Sequence, residues 1–448
     1  MKIKRKKGSV LVFTLIIVLT ILVISLGAVT ISTTELRSSS STDKATMAFQ
    51  IADTGMESIL EKIKSSNYLD DTILEVFSDC VDGKILEIID ANKQYEIEFF
   101  KYDDSPLECN DRVGDIGKAK SSGSYLSVER AVSSSVCVSG WEKIGANDGN
   151  WDGIATSNDG KKLAAVIRGG QIYTSIDGGE IWTDRESDRN WDVIASSGNG
   201  NTLLAADQGG MLYLSIDSGI NWDAQSDCGN HIWTSVAVSD DGTHLGAVYR
   251  PGNIWISNDS GNNWNEETVE GGVAQGWLGI AFSADGEKVV AVNDNVSGGE
   301  IYISSDGGDS WSRKNSGLGS LPAVAVSDDG NKIAVGRYGG QVYRSIDGGD
   351  NWLAVSNSGS GNLSSVAMSS DGTKVVVAKG TVPPAGALEG YVYISNEGGD
   401  IGTWKMHDPA EDARDWSHDS LAISEDGKQI FAATYDVTDG IWKYHGCK

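Results

Sequence analysis

The chain has 448 residues, 40% hydrophobic and 22% charged, with 55 glycines against 6 prolines: enough apolar material for a real core, many tight turns, and too long for one ordinary compact domain unless it is a repeat or a barrel. Its net charge of −27 repels nucleic acid and anionic lipid, which argues against DNA or RNA as a partner of the main domain. The five cysteines (Cys80, Cys109, Cys137, Cys228 and Cys447) form no CxxC pair and there are only 5 histidines, so no metal site and no cofactor are expected, and a few disulfides in an exported chain are.

From Gly8 to Thr34 there is no charge, and the run SVLVFTLIIVLTILVISLGAVTIS is long enough to span a bilayer as a helix. Lys2, Lys4, Arg5, Lys6 and Lys7 precede it, which keeps the N-terminus cytoplasmic. After Thr34 the pattern turns amphipathic, with Met47, Ile51, Met56, Ile59, Leu60 and Ile63 near helical spacing. The plain reading is a signal anchor. The basic leader ending in Gly8, the apolar run opening at Ser9 and the amphipathic continuation together resemble a type IV prepilin. That resemblance implies cleavage by a prepilin peptidase between Gly8 and Ser9. The segment AFQIADTGMESIL, with Ala52-Asp53-Thr54-Gly55, resembles the Ala-Glu-Ala-Gly segment of large minor pilins. Most major pilins carry Glu at the fifth mature position, where it neutralises a neighbour's amine; here that position is Phe13, as in minor or tip subunits. The resemblance implies other pilin subunits as partners through the N-terminal helix, the inner membrane before assembly, and the cell surface or pilus afterwards.

The resulting divisions are a leader over 1–8, a transmembrane and amphipathic pilin helix over 9–66, a pilin-like β region over 67–136 and a repeat domain over 137–448. In the third, GKILEII, QYEIEFFKY and YLSVERAVSSSV read as strands. Cys80 and Cys109 fall there and can bridge each other.

Two motifs alternate from residue 151 onward. One is a strand, a turn and a strand, as in WDGIATSNDGKKLAAV, with turn glycines at Gly160, Gly200, Gly242, Gly286, Gly330, Gly372 and Gly427. Asp-Gly or Asn-Gly between apolar runs is a hairpin signal, because glycine accepts the positive φ of the turn. The other is Ser-x-Asp-x-Gly-x-x-Trp. It recurs with Ser175, Asp177, Gly179 and Trp182; with Ser215, Asp217, Gly219 and Trp222; with Ser257, Asp259, Gly261 and Trp264; with Ser304, Asp306, Gly308 and Trp311; and with Ser345, Asp347, Gly349 and Trp352. A sixth copy, SNEGGDIGTW, has Glu397 for Asp and two extra residues. These are similar to the Asp-box (BNR) repeats of sialidases, other glycosidases and photosynthetic assembly factors. Four strands per repeat predict a seven-bladed β-propeller in a mainly β chain, with the box residues structural rather than catalytic.

The seventh repeat ends without its box Trp, and the missing piece precedes the first as CVSGWEKIG. One blade should therefore join both ends of the domain. Cys137 and Cys447 both map to the box position held by Gly178 in the first repeat, so a Cys137–Cys447 disulfide is expected there. The Asp-box resemblance raises a surface glycosidase as the second functional reading. Sialidases clamp a sugar carboxylate with three arginines; the candidates here are Arg168 and Arg250, each eight residues after a turn glycine, whereas Arg337 comes one residue earlier and points to the other side of its strand. The first reading is a minor, tip-located pilus or pseudopilus subunit that displays a non-enzymatic propeller for adhesion, with a surface glycan or protein as ligand.

Overall fold

The computed structural model describes residues 31–32, 47–57, 80–81, 84–90, 93–100, 106–107, 118–125, 128–135, 140–144, 149–269, 275–294, 298–315, 317–355, 362–380, 391–400, 402–407, 420–436 and 440–445. The leader, the cleavage position Gly8–Ser9 and most of the apolar run lie outside them, as do Cys109, Cys137 and Cys447. Two compact units divide near residue 142, residues 445–448 belonging with the first.

The first unit is a six-stranded antiparallel sheet and one helix. Along the sheet the strands run Ile31–Ser32, Val128–Ser135, Lys118–Tyr125, Lys93–Phe100, Lys84–Asp90 and Cys80–Val81. Period-two alternation gives the sheet its faces: Tyr95, Ile97 and Phe99 are buried, while Glu96 and Glu98 on the other face bond Lys84 and Lys120 across the strands at 2.7–2.9 Å. The helix, residues 47–57, buries Ala48, Ile51, Ala52 and Met56, one stripe at helical spacing. It meets the sheet through glycines. A Cβ on Gly123 would fall 2.4 Å from the Ala48 carbonyl oxygen and the Ala52 nitrogen, and one on Gly55 would fall 2.8 Å from the Tyr95 ring. Ile31 and Ser32 pair with Ser134 and Ser133 as a strand. The helix expected over 9–66 lies for the most part outside the described residues, of which 47–57 are helical. One expectation is corrected here: YLSVERAVSSSV is not one strand, since its first residue ends Lys118–Tyr125 and a second strand runs Val128–Ser135.

The second unit is a propeller. Five four-stranded antiparallel meanders follow one another from Trp233–Val238 to a sheet ordered Leu421–Ile423, Gln429–Ala433, Ile441–His445 and Gly140–Ile144. That last sheet takes its outer strand from the domain's N-terminal end. Two more groups share the long strand Thr183–Ser196, which pairs with Leu163–Ser175 in the first group and with Leu203–Asp207 in the second; its register shifts at residues 185–190 and 191–193 separate one group from the next. Large apolar residues on each inner strand pack on the adjoining sheet: Trp151, Trp191, Trp233, Trp277, Leu321 and Leu363 are all at most 1% exposed.

The inner hairpins close on themselves. Each tip donates one backbone N–H to the next tip's carbonyl, from Asn158 to Gly198, Asp240, Ala284, Asp328, Ser370, Glu425 and back to Asn158, at 2.7–3.1 Å. Among the described residues this ring joins seven hairpins, and its last bond links residues 267 positions apart in the chain. Each tip is Ser-x-Asp/Asn-Gly. The third residue's side chain accepts from backbone, as Asp159 does from Lys161 at 3.0 Å, and the glycine takes the left-handed conformation, as Gly160 does at φ 70°.

Candidate functional site at the propeller mouth

The strand ends sort the motifs by face. Hairpin tips and boxes lie at one end of the strands. In the first box Ser175 Oγ accepts from Gly179 N–H at 3.0 Å, Asp177 Oδ1 accepts from Ile181 N–H at 3.0 Å, and Trp182 Nε1 donates to the Gly179 carbonyl at 2.9 Å. The boxes of Ser215, Ser304 and Ser345 repeat the first two of these bonds, and so does that of Ser257, where Gly261 and Asn263 donate. The Trp bond recurs at Trp222 and Trp352, whereas Trp264 donates to Gln225. In the sixth copy Thr403 Oγ1 bonds Ser395 at 2.6 Å, a side-chain contact of Ser395 that goes to Asp in the other boxes. The box aspartates are held ionised: backbone N–H and Asn, Ser or hydroxyl donors keep Asp177, Asp217, Asp259 and Asp306 below the usual range and take Asp347 to about 2. Every box acceptor is thus committed to folding its own turn.

The opposite end is the mouth. There the residue eight positions after each turn glycine ends an inner hairpin, and the first five are Arg168, Gln208, Arg250, Asp294 and Tyr338. Arg168 Nε donates to Asp152 at 2.5 Å, its Nη2 pairs with Asp192, and Gln208 Nε2 also reaches Asp192, at 3.2 Å. Arg250 Nη1 pairs with Asp294 at 2.8 Å. Burial pushes the Asp152 carboxyl up to about 7, the Arg168 guanidinium opposing and the Asp192 charge adding. Burial also raises Asp294, with Arg250 opposing. The Asp152 side chain is 4% exposed and Arg168 35%, so the carboxylates hold the guanidinium from below and present its edge outward.

Around this arc the loops are tightly tied. Arg189 pairs with Glu186 at 3.2 Å and lies 4.5 Å over the Tyr213 ring, while Glu186 takes φ 46°, a costly conformation outside glycine. His231 stacks on Tyr249 at 3.9 Å. Cys228, beside this cluster, is a free buried thiol raised to about 12 by burial. Among the described residues no group of three or more His, Cys, Asp and Glu is placed to hold a metal ion.

Arg168 and Arg250 therefore sit in the same register at the mouth, each already paired with carboxylates, and the structure brings Arg168 together with Asp152, Asp192 and Gln208. Sequence reasoning missed these partners. The signal was present: Asp152 and Asp192 each follow the tryptophan that opens a repeat, and the eighth position after the turn glycine is filled by hydrogen-bonding or aromatic side chains in five successive repeats. Cys80, buried at the edge of the small sheet, is disulfide-bonded; its expected partner Cys109 lies outside the described residues, as do Cys137 and Cys447, expected to pair with each other.

The second unit is a β-propeller whose repeated turns are of the Asp-box type. Residues 7–57 match the family model for the PilX N-terminal region. No curated protein matches the chain. Among solved structures, YCF48 from Cyanidioschyzon merolae is similar at 17% identity over 68% of this chain and 98% of that one, with a TM-score of 0.51. YCF48 bound to a D1 peptide is also 17% identical, over 70% of this chain and 99% of that one, with a TM-score of 0.50. An ancestral GH74 enzyme is 15% identical over 68% of this chain and 46% of that one, with a TM-score of 0.50. At these identities the likeness is one of fold.

Proposed function

We propose that the chain is a minor, tip-located type IV pilus or pseudopilus subunit that carries its propeller outside the cell and binds a surface partner through the mouth. The observation that carries this is the conjunction of the PilX-type segment over residues 7–57 with a polar arc of five hairpin ends on the face opposite the boxes. Phe13 in place of the usual Glu supports a place at the tip. A subunit lacking that carboxylate has no partner for a neighbour's buried amine, yet can still sit first. Loops on a rigid scaffold are where specificity resides. Cells producing the chain should yield a mature N-terminus at Ser9; mass spectrometry showing an intact Met1, or a cut after Ala28, sinks the pilin reading. The mouth is tested by attachment: Arg168→Ala should reduce pilus-dependent adherence, and full adherence with a normal pilus count counts against that face.

A pilin-anchored glycosidase is the second reading. It is favoured by Asp152 and Asp192, two carboxyl groups on one guanidinium with the first pushed up to about 7, the division between proton donor and anion that glycoside hydrolysis needs. Release of reducing ends from sialylated or glucan substrates that disappears in Asp152→Asn would put this reading first.

A further inference from the structure

Large apolar side chains left in water on the propeller are not spread evenly. Among the described residues they include Ile176, Ile181, Ile216 and Ile220, exposed by 62–72%, with Ile346 at 64% and Leu353 at 47%. All six lie in an Asp-box or directly after one, and the first four belong to the boxes of the first two repeats. In the third and fourth repeats the corresponding positions hold Asn258, Asn262, Asn263, Ser305, Asp309 and Ser310. A single exposed isoleucine is ordinary, whereas four in two adjoining turns mark a surface. The turns do not need them. Asn221, Asn263, Ser310 and Asn351 use their side chains to bond the second carboxylate oxygen of their box aspartate at 2.5–2.7 Å. Ile181 stands at that position in the first box and forgoes the bond.

The two turns are tied side by side. A Cβ on Gly219 of the second box would fall 2.7 Å from Thr174 Cγ2, just before the first, and Lys162 Nζ bonds Ser218 Oγ of the second at 3.2 Å. Each box also bonds the hairpin tip of its own repeat, Gly178 N–H to the Lys161 carbonyl at 2.8 Å and Ser218 N–H to the Asn201 carbonyl at 2.9 Å. The apolar turns therefore continue inward to the ring of tips. There Asp240, Asp328 and Glu425 are exposed and close enough for their charges to repel. Lys162, Lys288 and Lys332 reach to the next repeat instead, bonding Asn201 Oδ1 at 2.6 Å, the Gly348 carbonyl at 3.5 Å and the Asp371 carbonyl at 2.7 Å. On its other side the first box meets the blade that joins both ends of the domain: a Cβ on Gly179 would fall 2.4 Å from Ile144 Cδ1. In that blade Gly140–Ile144 takes the outer place, held in other repeats by the strand that leaves a box. The chain thus enters the propeller at the box end, beside the isoleucines, coming from the PilX-type segment.

We propose that the box end of the first two repeats is a docking surface for a different protein subunit of the pilus, one whose contact face is apolar and carries lysine or arginine. The assignment rests on the pilus reading and adds to it a second contact, made by the propeller itself. Ile176, Ile181, Ile216 and Ile220 supply the apolar area, and the carboxylates of the tip ring select the sign of the charge that meets them. A second copy of this chain would set three carboxylates against three, and an anionic bilayer is repelled by the net charge of −27. Entry of the chain at this end places the surface toward the subunits that the N-terminal segment joins and leaves the mouth free for a ligand.

A photo-reactive phenylalanine analogue is placed at position 216 of the full-length chain, and in a second strain at position 258, in cells that assemble the pili, and the cross-linked peptides are sequenced by mass spectrometry. Position 216 should cross-link to another prepilin-type protein, on a peptide that combines aliphatic residues with lysine or arginine, and position 258 should not. Ile176→Ser combined with Ile216→Ser should lower the amount of chain in sheared pili by about fivefold or more, with an unchanged melting temperature and an unchanged amount in the membrane. Asn258→Ser combined with Ser305→Ala should leave that amount as in the parent. Cross-links that join two copies of this chain, that reach only lipid, that fall on an acidic peptide or that do not form overturn the surface. Failure of the surface differs from failure of the reading beneath it. Serine variants retained in pili as well as the parent reject the surface and leave display intact. A parent chain absent from sheared pili, with an uncut Met1 start, rejects display and this partner with it.

Discussion

Asp328 shows how one residue's position in a closed ring sets its chemistry. It is the second residue of its hairpin tip. The ring brings its carboxyl toward Asp240 and Glu425, which occupy the same position in other repeats, and burial with these two charges pushes it up to about 6, Ser370 donating in opposition. Asn158 Nδ2 already bonds Asp240 at 2.7 Å, and no cation among the described residues offsets the remaining negative charge. The folded state therefore binds more protons than the unfolded state between about pH 4 and 6, and stability falls as pH rises through that window. Asp328→Asn should raise the unfolding free energy by about 1 kcal/mol at pH 8, a figure kept small because the carboxyl is only partly buried and stays open to solvent screening, and by nothing measurable at pH 4. Urea midpoints for both proteins at the two pH values check this; equal differences at both would refute it. Below pH 4 the sign reverses, because Asp347 and its box counterparts lose a bond-stabilised charge as they protonate. None of the tip repulsion was legible from a single repeat, since Asp240 and Glu425 lie 88 and 97 residues from Asp328 and the three meet only when the ring is closed.

At the scale of elements, the repeat signal is local and carried well. Turn glycines and box residues each act within eight positions, and the same bonds recur from box to box. The small unit reads poorly because its cohesion is long-range. The strand Lys118–Tyr125, KAKSSGSY, holds serines and a glycine where strand formers are expected. It is a strand because it lies between Lys93–Phe100 and Val128–Ser135 and pairs with both along its length. Its glycine explains the composition: Gly123 lets the helix backbone at Ala48 and Ala52 lie directly on the sheet, and Gly55 does the same from the helix side over Tyr95. Gly123→Val should force these elements apart at a cost of about 3 kcal/mol, the upper end of overpacking because backbone must move. Hydrogen exchange should show faster exchange in residues 47–57 and unchanged protection in the propeller strands. Protection of the helix left as in the parent would mean that the close approach is not needed.

For the whole molecule the question is what keeps a ring of separately folded sheets shut. Backbone bonds between tips help, and so do side chains that cross from one repeat to another: Lys288 Nζ reaches the Gly348 carbonyl at 3.5 Å and Lys443 Nζ the Gly178 carbonyl at 3.2 Å. The weak point is the sheet shared by both ends, where Ile441–His445 is hydrogen-bonded to Gly140–Ile144 with no chain connecting them locally. Fraying there opens the propeller. Cys447 lies two residues beyond one of these neighbouring strands and Cys137 three residues before the other, so we propose that they are bonded and that the bond replaces the turn this blade lacks. The chain-entropy model assigns closure of a loop of about 310 residues roughly 6 kcal/mol as an upper figure. Export supplies the oxidising compartment. Cys228 is free and Cys80 is already bonded, so non-reducing peptide mapping of the full chain should give two cross-linked pairs: Cys137 with Cys447, and Cys80 with Cys109. Cys80 joined to Cys137 or to Cys447 rejects the closure. The matched double Cys→Ser variant at 137 and 447 should melt several degrees lower than the oxidised parent and expose Gly140–Ile144 to exchange first; identical melting would show that the shared sheet holds without the bond.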